Sequence, residues 1–194
     1  MNLNRADKRY ISKLRISQNS MYKRISKQWF EYAMHVHENL IFCKFFSLWC
    51  SFNSLYNLVG DYETPDNERI EALTKRLNQE DADFIISSTK SHFDFFMLKR
   101  QSPIRDMQKD LFRKLQPDDV KNFEPIKQRY LNPHVENLKK IKYIMPILYR
   151  VRNNLTHGSK SPGGGMDETV IRNAVPILQS LVQVIAVRVF EMSI

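Results

Sequence analysis

The chain has 194 residues, 42% of them hydrophobic, and a formal net charge of +9. This length suits one domain with a sizeable core and makes a second catalytic domain improbable. No apolar run is read as long enough to span a membrane and the N-terminus lacks the apolar core of a signal peptide, so a soluble, cytoplasmic protein with no membrane contact is expected.

Charge is concentrated at the start. Residues 1–28 carry Arg5, Lys8, Arg9, Lys13, Arg15, Lys23, Arg24 and Lys27 against the single acid Asp7, which is +7 of the total. Such a segment could grip phosphates through counterion release. It could equally be a solvated helix face docked by Ile11, Leu14, Met21, Tyr22 and Ile25, which recur at roughly helical spacing. The two readings are compatible.

From Gln28 to Val59 apolar residues are dense and neither proline nor glycine intervenes before Gly60, which predicts one long core helix or a pair. Cys43 and Cys50, the chain's two cysteines, are seven apart in this stretch. A helix holds them roughly 10 Å apart, too far for a disulfide, so they are read as packing residues in a reducing compartment. His35 and His37 diverge by about 160° on a helix and cannot share a metal ion there. Asn53 and Asn57 stack at i, i+4 in a very apolar helix and need partners; they either fix helix register or, for Asn53, support an active-site face.

Past "GDYETPDNER" the pattern predicts helices near Glu68–Leu77 and Asp81–Lys99, then one through Asp106–Leu115. Pro117, Pro125 and Pro133 break residues 116–134 into short helices and turns. His92 and His134 lack a partner in sequence and are read as surface residues. A helix from about His134 to His157 follows, tolerating or kinking at Pro146, and a strongly apolar last helix runs from about Asp167 to Met192.

The chemistry lies between those two helices, in "YRVRNNLTHGSKSPGGG". At about 100° per residue, Ile144, Leu148, Val151 and Leu155 share one face, while Asn153 projects almost opposite, His157 lies about 40° from it, and Arg152 flanks the group. The histidine therefore points away from the core. Four of the chain's five glycines, Gly158, Gly163, Gly164 and Gly165, follow it directly. As the last turn of a helix capped by Gly158, this position would favour protonated His157, and the charge of Arg152 opposes that effect.

A ribose 2′-hydroxyl attacking its neighbouring phosphorus needs a base, an acid and a cation at the phosphate oxygens. Histidine and arginine meet that list without a metal or other cofactor, and Asn153 could orient the imidazole or hydrogen-bond the phosphate. Arg150 and Lys160 flank the cluster as phosphate contacts. One histidine is short of both an acid and a base; a two-fold dimer would supply the second.

The segment "YRVRNNLTHGSK" resembles the signature of the HEPN superfamily through Arg152, Asn153 and His157. The upstream "FFSLWCSFNSLYNLVG", residues 45–60, is similar to the other core helix of Apea-like and RiboL-PSP-associated HEPN proteins. Together they cover about a seventh of the chain. The resemblance implies an all-α, antiparallel HEPN-type bundle; with the length and the helical patterning this gives a single domain over residues 1–194, with the basic segment 1–28 and an additional helical insertion at 61–140 that the resemblance does not cover. It further implies a homodimer with the motif at its interface. Its activity would be that of a metal-independent endoribonuclease leaving 2′,3′-cyclic phosphate ends, in the manner of prokaryotic toxins or anti-phage defence effectors with an antitoxin or defence-system partner. HEPN toxins paired with a minimal nucleotidyltransferase carry a tyrosine two residues after the histidine, where this chain has Ser159, so silencing by nucleotide addition is not expected to transfer. The alternative is a non-catalytic nucleic-acid or protein binding module on the same bundle, or a toxin masked by a partner.

Overall fold

The computed structural model describes residues 5–60, 63–99, 123–156 and 165–194, with side chains beginning at 18, 124 and 167 in the first, third and fourth of these stretches. They form seven α-helices and no strand, so the fold is all-α. The helices are α1 (Arg5–His35), α2 (Ile41–Tyr56), α3 (Asp66–Thr74), α4 (Gln79–Asp94), α5 (Phe123–Leu131), α6 (Asn137–Thr156) and α7 (Gly165–Val184). The helix predicted through Asp106–Leu115 lies outside the described residues.

The apolar run 28–59 is a pair of helices rather than one. α1 ends at His35 and a single 3-10 turn, Glu38–Leu40, reverses the chain into α2. His37 caps that turn, its Nδ1 accepting from Asn39 N at 3.3 Å, and His35 Nδ1 lies 2.7 Å from Glu31 O. Both histidines thus serve local backbone. Ser26, Phe30 and Ala33 are the buried face of α1. Ser26 and Ser51 meet through their hydroxyls at 2.9 Å, which satisfies two polar groups inside the α1–α2 contact. Met21, read as a docking residue, is 39% exposed, and the side chains of Ile11 and Leu14 lie outside the described residues. Lys23, on the basic segment, donates to Phe190 O at 2.8 Å and ties α1 to the C-terminus.

α4 opens on a capping box. Asn78 Oδ1 accepts from Asp81 N at 2.9 Å while Asp81 Oδ2 accepts from Asn78 N at 3.1 Å, an arrangement whose cap is worth about 1 kcal/mol. α4 and α7 run antiparallel, since rising numbers on one meet falling numbers on the other: Ser88 pairs with Ser180 at 3.3 Å and His92 with Asn173 at 3.1 Å, and Asp81 pairs with Arg188, just past the end of α7, at 3.0 Å. His92 is therefore a half-buried inter-helix residue, correcting its assignment to the surface, whereas His134 is exposed. Each of these two helices ends in a π-turn, Phe95–Lys99 and Ile185–Val189. After the second, Phe190 N donates to Ile185 O at 3.2 Å and Glu191 takes a positive φ of 53°, stopping the helix in the left-handed conformation common at helix ends.

α7 occupies the centre. Val170, Ile171, Ala174, Val175, Ile177, Leu178, Leu181 and Val182 are all buried, and α7 packs on both α2 and α4. A helix apolar on nearly every side belongs inside a bundle. With its π-turn, Asp167–Val189 is 23 residues long and apolar enough by length and composition to cross a membrane, which corrects the expectation that no run reaches that length. Here 61% of its most apolar window is buried by the rest of the protein. α6 continues through Pro146, which faces outward.

Candidate functional site

α2 and α6 build the site together. α2 stacks an aromatic column along its inner face, in which Phe45 and Trp49 have centroids 6.3 Å apart, Trp49 and Phe52 5.5 Å, and Phe52 and Tyr56 5.7 Å. α6 contributes Ile144, Leu148 and Val151 to the core, as its periodicity predicts, and Leu155 only in part. Asn154 is also buried, at 2% exposure, although the spacing places no polar residue there.

Arg152 lies in the second-last turn of α6. Its guanidinium carbon sits 6.0 Å from the Trp49 ring centre and 5.8 Å from that of Tyr149, and Nη1 donates to Asn153 Oδ1 at 2.9 Å. The two rings are themselves in tilted contact at 6.0 Å. An arginine lodged on two aromatic faces is held in place without a carboxylate partner at these contacts, so its charge is not cancelled there. Thr156 Oγ1 lies 3.2 Å from Arg152 O and 3.1 Å from Asn153 O as their donor, covering carbonyls that the end of a helix leaves without partners.

The charge of Arg152 reaches half-buried Cys50 and buried Tyr56. Burial pushes the Cys50 thiol up and Arg152 pulls against it, with the thiol remaining above its ordinary value. That direction favours the thiol over the reactive thiolate. Burial also raises the Tyr56 phenol, the Asp66 carboxylate adds to the rise by its charge and by a weak hydrogen bond, and Arg152 and Arg69 oppose it. Both cysteines are free; Cys43 is exposed, correcting its assignment as a packing residue.

Asn53 belongs to a second polar cluster on the same helix. Asn57 Nδ2 donates to Asn53 Oδ1 at 3.2 Å, Arg69 Nη1 donates to Asn57 Oδ1, and Arg69 Nη2 donates to Asp66 Oδ1 at 2.6 Å. The Arg69 guanidinium also lies 5.3 Å over the Tyr56 ring. The pairing of Asn53 with Asn57 matches the spacing argument, and its wider partner is the first turn of α3. Buried beside it, Trp49 Nε1, Tyr56 Oη and Arg69 Nε make no hydrogen bond of ordinary geometry among the described residues. Arg69 is the component the sequence did not single out; its only local signal was Asp66 three positions earlier, an ordinary i, i+3 helix pair.

Two cavities flank α6. One of about 710 Å³ lies between α3 and α6 and takes Arg150 and Asn153 into its wall. The other, about 440 Å³, lies beyond Leu155 and Thr156 against Trp29, Tyr32, Phe42 and Phe46. The described structure thus joins Arg152 to Asn153 and places Arg150 nearby, with Asn53 in the adjoining network. His157, Lys160 and the glycines 158–164 lie outside the described residues. No family model matches the chain, and neither a curated protein nor a solved structure is detectably similar to it.

Proposed function

We propose that this protein is a metal-independent endoribonuclease of the HEPN kind, with Arg152, Asn153 and His157 as its working residues. The observation that carries this reading is the Arg152 guanidinium, lodged on Trp49 and Tyr149, hydrogen-bonded to Asn153, and five positions before a histidine on the same chain segment. Arginine's remaining N–H groups suit phosphate oxygens, and a guanidinium positioned before substrate arrives stabilises the charge of the pentacoordinate state without reorganising.

In the reaction the 2′-oxygen loses its proton to one imidazole and bonds to phosphorus, the bond from phosphorus to the 5′-oxygen breaks, and that oxygen takes a proton from a second imidazole. The products are a 2′,3′-cyclic phosphate and a 5′-hydroxyl. His157 of each of two copies supplies one imidazole in a homodimer with a composite site, and Arg152 neutralises the equatorial oxygens. Arg150 and Lys160 hold flanking phosphates, and Asn53 supports the face through α2. The basic segment 1–28 adds salt-dependent affinity for RNA. A role as a toxin or defence effector, held in check by an antitoxin or another component of its system, would suit such a nuclease.

Incubating wild type and His157→Ala with end-labelled single-stranded RNA in EDTA tests the reading. Cyclic-phosphate products from wild type, formed at least about a hundredfold more slowly by the variant, are expected. Equal cleavage by both proteins would overturn it. Salt-sensitive RNA binding without products, unaffected by the substitution, would favour the non-catalytic binding module.

A further inference from the structure

The cavity between α3 and α6 is of a size at which small ligands bind, about 710 Å³. Its wall is mostly apolar, with Ile70, Met145 and Pro146 in it, and carries polar and aromatic groups at its sides: α3 supplies Asn67 and Glu71, and α6 supplies Lys142, Tyr143, Tyr149 and Arg150. Lys142, Pro146, Tyr149 and Asn153 follow one another at helical spacing, so a single face of α6 forms the floor. At its far end Asn153 is hydrogen-bonded to Arg152. The cavity therefore runs from α3 to the edge of the reaction centre proposed above.

We infer that this cavity is a nucleotide subsite that seats one unpaired RNA base next to the cleaved phosphate, and that Glu71 makes it prefer a base bearing an exocyclic amino group over uracil. The choice of RNA as occupant rests on the ribonuclease reading. Aromatic rings interleaved with cations are how proteins hold single strands: the base stacks and the backbone meets lysine or arginine. Tyr143 and Tyr149 provide the rings; Lys142 and Arg150 provide the charge. A carboxylate can only accept. Glu71, paired with Lys75 at 2.8 Å, is held below the usual carboxylate range chiefly by the Lys75 hydrogen bond and charge, with a further contribution from Lys142. It therefore accepts from the amino group of cytosine, adenine or guanine. Uracil offers one N–H flanked by two carbonyl oxygens, which a carboxylate repels.

The test uses the full-length protein in EDTA and 5′-labelled oligonucleotides of about ten residues, 2′-O-methylated so that no nucleophile is present, read by fluorescence anisotropy. Oligo-C should bind about tenfold more tightly than oligo-U, the scale of one good edge contact. Glu71→Ala should bring the two within about twofold of each other. Lys142→Glu should weaken both about tenfold. Both side chains are exposed, so neither substitution threatens folding. No oligonucleotide binding by wild type, as for a cavity that takes a protein segment instead, would overturn the inference, as would binding unchanged by either substitution. Cleavage of RNA by wild type together with indifferent variants would sink the subsite and leave the ribonuclease standing. Cavity-dependent binding without any cleavage would do the reverse.

Discussion

The Arg152 guanidinium carbon lies 6.0 Å from the centre of the Trp49 ring, a contact between two helices whose residues are about a hundred positions apart. It explains why a charged residue can sit half-buried against the core at the end of α6. It also separates the two things an arginine brings to the site, its charge and its planar face.

Arg152→Lys tests that separation. Lysine keeps the charge and loses both the fork and most of the stacking. If the proposed chemistry holds, the cleavage rate in EDTA should fall by about a hundredfold or more, while RNA affinity drops much less. A lysine variant as fast as wild type would mean that charge alone suffices and that the aromatic seat is only packing.

The polar chain through Arg69 makes a prediction about stability. Its side chain is 13% exposed and its two terminal nitrogens serve Asn57 and Asp66. Arg69→Met keeps the bulk and strands both partners in a half-buried place, where lost hydrogen bonds to a charged group cost about 1.5–3 kcal/mol. For a domain of this size that is a fall in Tm on the order of 3–12 °C. Thermal melting by circular dichroism checks it; an unchanged Tm would show that solvent already competes for those groups.

How far the site was legible in the sequence follows from how local each contact is. Asn53 and Asn57, one turn apart, announced their pairing because helical geometry alone puts them together. Arg152 and Asn153 stood out because they leave the apolar face that Ile144, Leu148 and Val151 define. The all-α fold was legible for the same reason, through periodicity and the absence of alternation. The 3-10 reversal between His35 and Ile41 was not, since it uses neither proline nor glycine and depends on a histidine cap. The partners of Asn57 and Trp49 were invisible because α3 and α6 reach them only by tertiary packing. The cavity wall joins Asn67 and Glu71 to Lys142 and Tyr143, about seventy positions later, and no spacing rule links such residues. His92 was misjudged likewise, because its partner Asn173 sits on a helix 81 positions away.

Tyr56 tests the poorly satisfied groups beside the site. Its hydroxyl is buried and makes no hydrogen bond of ordinary geometry among the described residues, while the Asp66 carboxylate raises the phenol by its charge and by a weak hydrogen bond; a group so poorly satisfied costs about 1–3 kcal/mol relative to hydration. Tyr56→Phe removes the poorly satisfied hydroxyl and keeps the ring on Phe52 and under Arg69. Melting should show stability unchanged or raised by up to about 1 kcal/mol. A loss of that size instead would show that the hydrogen bond to Asp66 is a full one that holds the hydroxyl in place.

A pH-dependent tie joins α4 to α5. Tyr130 Oη donates to Asp94 Oδ1 at 2.7 Å, Lys90 reaches the other oxygen at 2.7 Å, and the Tyr130 ring stacks on Phe93 with centroids 6.5 Å apart. Burial pushes the Asp94 carboxyl up, but the hydrogen bonds from Lys90 and Tyr130, with the charges of Lys90 and Lys99, outweigh it and hold the group below its ordinary value. A depressed carboxyl contributes stability above its unfolded value, about 3.9, and loses it as pH falls through the lower folded value. The Tyr130 phenol is shifted upward, first by burial and then by Asp94, so its contribution is complete below about pH 10 and is lost only as pH rises through the folded value. Between those limits Tyr130→Phe should cost about 1–2 kcal/mol, the worth of a hydrogen bond to a partly exposed carboxylate. As pH falls below the ordinary carboxylate range the difference between the two proteins should shrink, as Asp94 protonates in both. Melting temperatures of wild type and Tyr130→Phe across pH 3–9 decide the matter: parallel curves throughout would show that the carboxylate is not what the phenol holds.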